Sequence, residues 1–324
     1  LAGFSNNFKG LISLVDHKIQ AFSLQNQSLA LGVSGGADSI ALFWVFLDLF
    51  KRKKFFDLVI FHINFGFRGT ESDLDQAFVE TICHQEGVAC EVFRPEPASI
   101  QNRHISLQEF AREFRMTVQD AFITKGFNIA LAHNADDVTE NILMRLARGS
   151  APENAAGMSY FDCRVFRPLL GITRTDIRDR LSAFGKVWRE DSSNLTNKYT
   201  RNLIRHEVVP VLESLYPGSV KRISEAFLAL ADSSKPTTPD LGNRKMPLSC
   251  VMERAHEAVS RDIHEFLTQI YSGRSPVPRG VVHQIAKASL RLSSGLDGES
   301  RVFHIPGGLS LKVSTTELHV FQRE

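Results

Sequence analysis

The residues best suited to chemistry fall in a few short groups, the first being Ser34-Gly35-Gly36-Ala37-Asp38-Ser39. Adjacent glycines let a backbone approach a ligand closely, and a helix starting there offers unpaired N–H groups at its positive end. Two serine hydroxyls add donors, so the loop suits a polyphosphate. Asp38 is the odd member. A carboxylate beside phosphates repels them unless a cation lies between, which implies Mg²⁺ held at Asp38. The loop lacks the Gly-Lys-Ser/Thr ending of a Walker A motif, and adjacent glycines do not fit G-x-G-x-x-G.

His62, Asn64 and Arg68 form a second group, polar residues that end an apolar run and should face a ligand crevice. A third is His133-Asn134-Ala135-Asp136-Asp137-Val138-Thr139-Glu140. It places three carboxylates in one helical turn, with Asp136 and Glu140 on one face at i, i+4. Such a turn suits a cationic substrate or a metal, though acidic residues also simply complement a helix N-terminus. Arg112 and Arg115, three apart, share a helix face. From Arg164 to Arg205 ten Lys and Arg stand against four Asp and Glu, a local +6 in a chain of net charge +2. That is the footprint expected of a surface for a nucleic-acid backbone, or of a generic basic face.

Hydrophobic spacing gives the elements that must position these groups. Ser28–Val33 reads as a strand, Asp38–Phe50 as a helix and Phe56–Asn64 as a second strand. Ser72–Gly87 is a helix stopped by glycine, Val88–Phe93 a strand, Leu107–Lys125 a helix and Asn128–Ala132 a fourth strand. Helices follow over Asp136–Arg148, Thr173–Phe184, Arg201–Leu215 and Ser219–Ala231. Alternating units of this kind predict an α/β fold, a parallel sheet with helices on both faces and ligands at the strands' carboxyl ends. Asp232–Pro247, with three prolines among Ser, Thr and Gly, has linker composition. Beyond it, helices near Cys250–Tyr271 and Gly280–Ala288 precede strand-like alternation over Arg301–Ile305 and Leu309–Phe321, around Gly307-Gly308. That predicts a smaller α+β domain.

The 324 residues are 43% hydrophobic and 23% charged, too apolar for a disordered chain and too balanced in charge for a polycation. Cys83, Cys90, Cys163 and Cys250 lie far apart without a C-x-x-C pair, which argues against a disulfide scaffold, a zinc ribbon or a cluster loop. A reduced, cytoplasmic protein is expected. The most apolar run, Ile40–Phe50, contains Asp48 and is too short to span about 30 Å of hydrocarbon. The start, LAGFSNNFKG, shows no secretory pattern.

The Ser-Gly-Gly-x-Asp-Ser loop resembles that of the PP-loop superfamily of N-type ATP pyrophosphatases. Within it, His62-Ile63-Asn64-Phe65-Gly66-Phe67-Arg68-Gly69, Ala111-Arg112-Glu113-Phe114-Arg115, the His133–Glu140 segment, Asp191-Ser192-Ser193-Asn194 and Arg201-Asn202-Leu203-Ile204-Arg205-His206 are similar, in order, to elements of the tRNA(Ile)-lysidine synthetases. Phe65 and Asn134 replace histidines usual in that family, and Ser150-Ala151-Pro152 departs from its Gly-containing loop.

The resemblance implies an ATP-binding catalytic domain over 1–215 and a tRNA-contacting domain over 216–324. It implies an ATP site of Ser34, Gly35, Gly36, Ala37, Asp38, Ser39, His62, Asn64 and His133, with Mg²⁺ as cofactor. Asp38, Arg112 and Asp136 would be catalytic, Asp137 and Glu140 would hold L-lysine, and Arg68, Arg201, Asn202 and Arg205 would meet tRNA(Ile) bearing a CAU anticodon. No membrane partner is implied, and a homodimer is left open. A tRNA thiolase of the same superfamily and a non-catalytic tRNA-binding protein are the alternatives. ATP consumption separates the last from both enzymes.

Overall fold

The computed structural model describes residues 7–96, 100, 106–150, 157–162, 164–190, 200–233, 245–247, 259, 263–264, 266–267, 270, 277, 279–293, 300–306, 309–314 and 317–322. The chain divides into two units, Leu1–Asp232 and Ser233–Glu324.

The first unit is built on six strands: β1 (Ser28–Gly32), β2 (Asp57–Ile63), β3 (Ala89–Phe93), β4 (Asn128–Ala130), β5 (Phe161–Asp162) and β6 (Val165–Phe166). Their order is β3-β2-β1-β4-β6-β5, and every pairing is parallel except the β5/β6 hairpin. Both faces are buried, as the near-continuous apolar strands require. Leu29, Leu31, Leu58 and Ile60 point into one core, while Ala30, Val59, Phe61 and Ile129 point into the other. The first face is covered by α1 (Phe8–Ala21), α2 (Ala37–Lys51), α3 (Thr70–Glu86) and, further along, Arg174–Ala183. Val118 and Phe122 of α4 (Leu107–Thr124) fill the second. The expected α/β class and two-sided parallel sheet are what the structure contains.

Strand order sets the place of chemistry. The chain runs outward from β1 to β2 and β3, then returns to β4 on β1's other side. The carboxyl ends of β1 and β4 therefore flank a topological switch point, where open α/β sheets bind ligands. The loop Val33–Gly36 leaves β1 there, and His133 and Asn134 leave β4 there.

Several elements differ from the sequence reading. Helix α1 was not anticipated, although Leu11, Val15 and Ile19, four apart, are all fully buried and Asn7 caps its start. Helix α5 (Ala135–Ala147) and α6 (Arg174–Ala183) fall where expected. The helix read over Arg201–Leu215 is instead α7 (Thr200–Leu203), a π-helical stretch at Ile204–Val208, and α8 (Val209–Leu215). Pro210 gives the reason. It has no N–H to donate to the carbonyl four residues back and its ring crowds that carbonyl, which a wider turn relieves. Helix α9 (Ser219–Ser233) packs in the first unit, with Leu228 against Val138, Ile142 and Leu170 and with Val220 against Ala135 and Val209.

The second unit holds β7 (Lys245–Pro247), α10 (Arg279–Ser293), β8 (Ser300–Ile305), β9 (Leu309–Ser314) and β10 (Glu317–Gln322). Its antiparallel sheet has the order β7-β10-β9-β8. Residues 245–247, read as the end of a linker, pair with β10; Pro247 is tolerated because β7 is an edge strand. Leu311, Val313, Leu318 and Val320 face Val282, Ile285 and Leu292 of α10. Most of the helix expected over Cys250–Tyr271 lies outside the described residues, as does the Gly307-Gly308 turn. Among the described residues, no helix is long and apolar enough to cross a membrane.

Candidate active site

The phosphate-type loop is braced from within. Ser39 Oγ donates to Gly36 O at 2.9 Å, which uses its only proton. It must therefore accept both from Ser34 N–H at 3.2 Å and from Ser34 Oγ at 3.1 Å. Gly35 sits at φ +96°, a conformation that favours glycine. Gly36 is different. Its backbone is extended, and an added Cβ would meet only Ser34 Oγ at 3.7 Å. Among the described residues nothing requires glycine there, so the missing side chain leaves room for an outside ligand. Gly36 caps α2 without a side-chain hydrogen bond, leaving that helix start to an external acceptor.

Asp38 follows in the first turn. Its Oδ2 accepts from Asn134 Nδ2 at 3.0 Å and lies 3.7 Å from Arg174 Nε. Its Oδ1 is buried and receives no hydrogen bond. Burial, against the pull of Arg174 and with the push of Asp137 and Asp136, raises the carboxyl to about 6. Among the described residues no cluster of three or more His, Cys, Asp or Glu could cage a metal. One unpartnered hard oxygen beside a phosphate-type loop fits Mg²⁺ shared with a ligand's phosphates, since that ion is commonly held by one or two carboxylates plus phosphate.

Asn134 joins this loop to a second pocket. It is fully buried and forms a capping box on α5: its Oδ1 accepts from Asp137 N–H at 3.0 Å, and Asp137 Oδ2 accepts from Asn134 N–H at 3.1 Å. The other Asp137 oxygen faces cations, with Arg201 Nη2 at 3.2 Å and Arg174 and Arg205 Nη2 each at 3.6 Å. Glu140, 1% exposed, is clasped more tightly. Arg201 Nε and Arg205 Nε, four residues apart on consecutive turns, each donate to it at 2.7 Å, and Arg174 stands 3.6 Å away. Burial works against ionisation of Asp137, but His133, Arg201 and Arg174 outweigh it and hold the carboxyl below the usual range. His133 itself is drawn down to about 4, chiefly by burial, and its Nδ1 receives no hydrogen bond. Asp136 is turned aside: its Oδ2 accepts from Arg174 N–H at 2.7 Å, and burial raises its carboxyl.

The sequence-expected residues thus separate. Ser34 to Ser39, His133, Asp136, Asp137 and Glu140 come together at the switch point. Arg201 and Arg205, expected to meet RNA, lie on the carboxylates expected to hold lysine. His62 is buried, with Nδ1 2.8 Å from Val33 O, and Asn64 is buried with Nδ2 donating at 3.0 Å to Asp73 and to Gln76. Both brace the loops beside the crevice. Arg68 pairs with Asp75 at 2.6 Å, and Arg189 Nε binds the same carboxylate while its N–H donates to Gly35 O at 3.0 Å. Arg112 is exposed on α4 beside Arg115, and Asn202 is half-buried. Residues Asp191–Asn194 and Ala151-Pro152 lie outside the described residues. Sequence reasoning missed Asn134, Arg174, Asp75 and Arg189 as site-shaping groups. Asn134 carried a legible signal, an Asn three residues before Asp137 at a helix start; Arg174 was visible only as one cation of the basic stretch.

A tRNA(Ile)-lysidine synthase from Rhodopirellula baltica is 37% identical over 218 residues, 60% of this chain and 55% of the relative. One from Geobacillus kaustophilus is 32% identical over 264 residues, covering 77% of this chain and 56% of its own length. The chain thus spans about half the length of the curated relatives it matches. A U34-tRNA thiolase from Methanococcus maripaludis, solved with its [4Fe-4S] cluster, shares the fold at TM-score 0.58 and 19% identity, over 70% of this chain and 80% of that one. The model of the PP-loop domain, an ATP-binding family, matches residues 11–212, the stretch that contains both pockets, and the chain belongs to that family.

Proposed function

We propose that the chain carries out the tRNA(Ile)-lysidine synthetase reaction, a ligation forming a C–N bond. ATP adenylates the C2 oxygen of the wobble cytidine in a CAU anticodon: that oxygen attacks the α-phosphorus and pyrophosphate leaves. The lysine ε-amine then attacks C2, AMP departs, and the amine's proton passes to a base. The product reads AUA instead of AUG and makes the tRNA an isoleucine acceptor. One observation carries this reading. Asn134 ties Asp38 of a polyphosphate-type loop to the helix bearing Asp137 and Glu140. A centre for handling triphosphate and a pocket for a cation are thereby neighbours, as adenylation followed by attack of an amino-acid amine requires.

In this reading the backbone N–H groups of Ala37, Asp38 and Ser39 at the start of α2 present donors to the leaving pyrophosphate, while the Ser34 and Ser39 hydroxyls hold the loop in shape. Asp38 would hold Mg²⁺, which when bound neutralises phosphate charge. Asp137 and Glu140 hold lysine's amino groups, which reach them by displacing Arg201 or Arg205. Arg112, on the exposed face of α4, approaches the transferred group. Neutral His133 or the buried Asp136 takes the amine's proton in this reading. His62 and Asn64 keep the ATP-side loops in shape.

The test is incorporation of labelled lysine into a tRNA(Ile) transcript with a CAU anticodon, with ATP, Mg²⁺ and methionine tRNA as control. Lysine in the first tRNA alone is the expected result. AMP and pyrophosphate formed without lysine transfer would discard lysine as nucleophile, and no ATP turnover would discard the enzyme reading.

A further inference from the structure

Where β2 meets α4, four phenylalanines form a continuous run of rings. Phe110 stacks on Phe114 at 6.3 Å and 20°, Phe114 meets Phe65 edge-on at 5.9 Å, and Phe65 stacks on Phe67 at 5.2 Å and 21°. The run does not end in the core, for Phe67 is 42% exposed. Its loop is stiff. Asn64 Oδ1 accepts from Gly66 N–H at 2.9 Å, Gly69 N–H donates to Gly66 O at 3.1 Å, and Arg68 is tied to Asp75. A ring held this way loses little freedom on binding.

The surroundings are cationic rather than apolar. The Arg115 guanidinium lies 6.0 Å from the Phe65 centroid, and Arg112 is exposed one turn earlier on the same helix. Arg115 is also within electrostatic reach of His133 and Arg201, two residues of the acidic pocket. An apolar peptide would want a greasy rim. An exposed ring stacked on half-buried ones and edged by arginines matches the make-up of single-stranded nucleic-acid sites, where bases stack on aromatics and cations follow the phosphates.

We infer that Phe67, backed by Phe65, is a stacking platform for an unstacked RNA base next to the reacting cytidine. The inference rests on the proposed function in taking an RNA loop as substrate. One of its two residues, Phe65, stands where the family commonly has a histidine.

The test is fluorescence anisotropy of a labelled anticodon stem-loop with a CAU loop, using the full chain and its Phe67→Ala, Phe67→Leu and Phe67→Trp variants, each checked for folding by thermal melting. Alanine and leucine should both weaken binding by roughly tenfold, within the range for losing one base–aromatic stack, and tryptophan should restore it. An RNA with an abasic residue beside the target cytidine should bind the unaltered chain about as weakly as intact RNA binds the alanine variant, and should lose nothing further in that variant. Leucine binding as well as phenylalanine, or an abasic RNA binding as well as the intact one, would overturn the platform. Ring-dependent binding without any lysine transfer would retain the platform and discard the lysidine reaction. Lysine transfer with RNA affinity unchanged in all three variants would do the reverse.

Discussion

The two pockets at the switch point are prepared in opposite ways. The Ser34–Ser39 loop satisfies its own hydroxyls, yet leaves a helix start uncapped by any side chain, a Cβ-sized space at Gly36 and an unpartnered oxygen on Asp38. The Asp137–Glu140 pocket is filled by the protein's own cations, two of them at 2.7 Å from Glu140. The first is shaped in advance and keeps donors and an oxygen unspent. The second is already neutralised, so a cationic ligand enters it only by exchange. Filling it internally gives the nearly inaccessible Glu140 carboxylate its partners without a ligand, because an unpaired buried charge is far more costly than a paired one.

The comparison can be broken most decisively at Asp38. If its free oxygen serves the loop's ligand, Asp38→Asn should lower ATP turnover by about 10²–10³-fold while melting stays close to that of the parent chain. Pyrophosphate release and thermal unfolding measured together decide it, and a variant that turns over ATP normally would remove Asp38 from the loop's function. At the other pocket the expected loss is in stability. Glu140→Ala leaves Arg201, Arg205 and Arg174 facing one another and should cost about 3 kcal/mol. Denaturant unfolding reads this, and a loss well under 1 kcal/mol would mean that the arginines do not depend on Glu140.

Smaller effects sharpen the contrast. Gly36→Ala fits the protein and should leave stability nearly unchanged, yet raise the KM for ATP about tenfold by filling the ligand's space. Gly35→Ala, at positive φ, should instead lower stability by about 1 kcal/mol. Equal behaviour of the two would erase the distinction drawn between these glycines. The smallest effect is in the pH dependence of folding. Asp38, raised from an ordinary 3.8 to about 6, keeps its proton longer in the folded state, so its contribution is lost as pH rises across that window. His133, lowered from 6.5 to about 4, does the opposite and adds stability as pH rises. The two slopes offset each other between about pH 4 and 6. Unfolding free energies across that range should therefore climb more steeply for Asp38→Asn than for the parent chain, and parallel curves would count against the buried, protonated Asp38.

Much of the fold and half of the site were legible in the sequence, for physical reasons that differ by residue. The parallel sheet showed itself because Leu29–Leu31 and Leu58–Phe61 are apolar on both faces, and the loop because Gly-Gly between a strand and an acidic helix start has few other uses. The identity of the carboxylates was legible; their counterions were not. Arg174, Arg201 and Arg205 lie 34 to 68 residues from Asp137 and Glu140, and a count of charges along the chain reads them as an outward basic surface. The π-helical widening before Pro210 and the two-residue strand β5 were hidden too, since neither has a periodicity long enough to detect.

Asn134 has a consequence of another kind. A single carboxamide donates to Asp38 and accepts from the backbone of Asp137, so its donating N–H and its carbonyl belong to different pockets. Any change in the charge of Asp38 alters the polarity of that amide, and with it the strength of the bond that starts the acidic helix. The side chain is in effect a resonance shared by both halves of the site. In a nitrogen-15 spectrum one pair of cross-peaks would report a change at either pocket, and its displacement would measure how far each change is felt by the other.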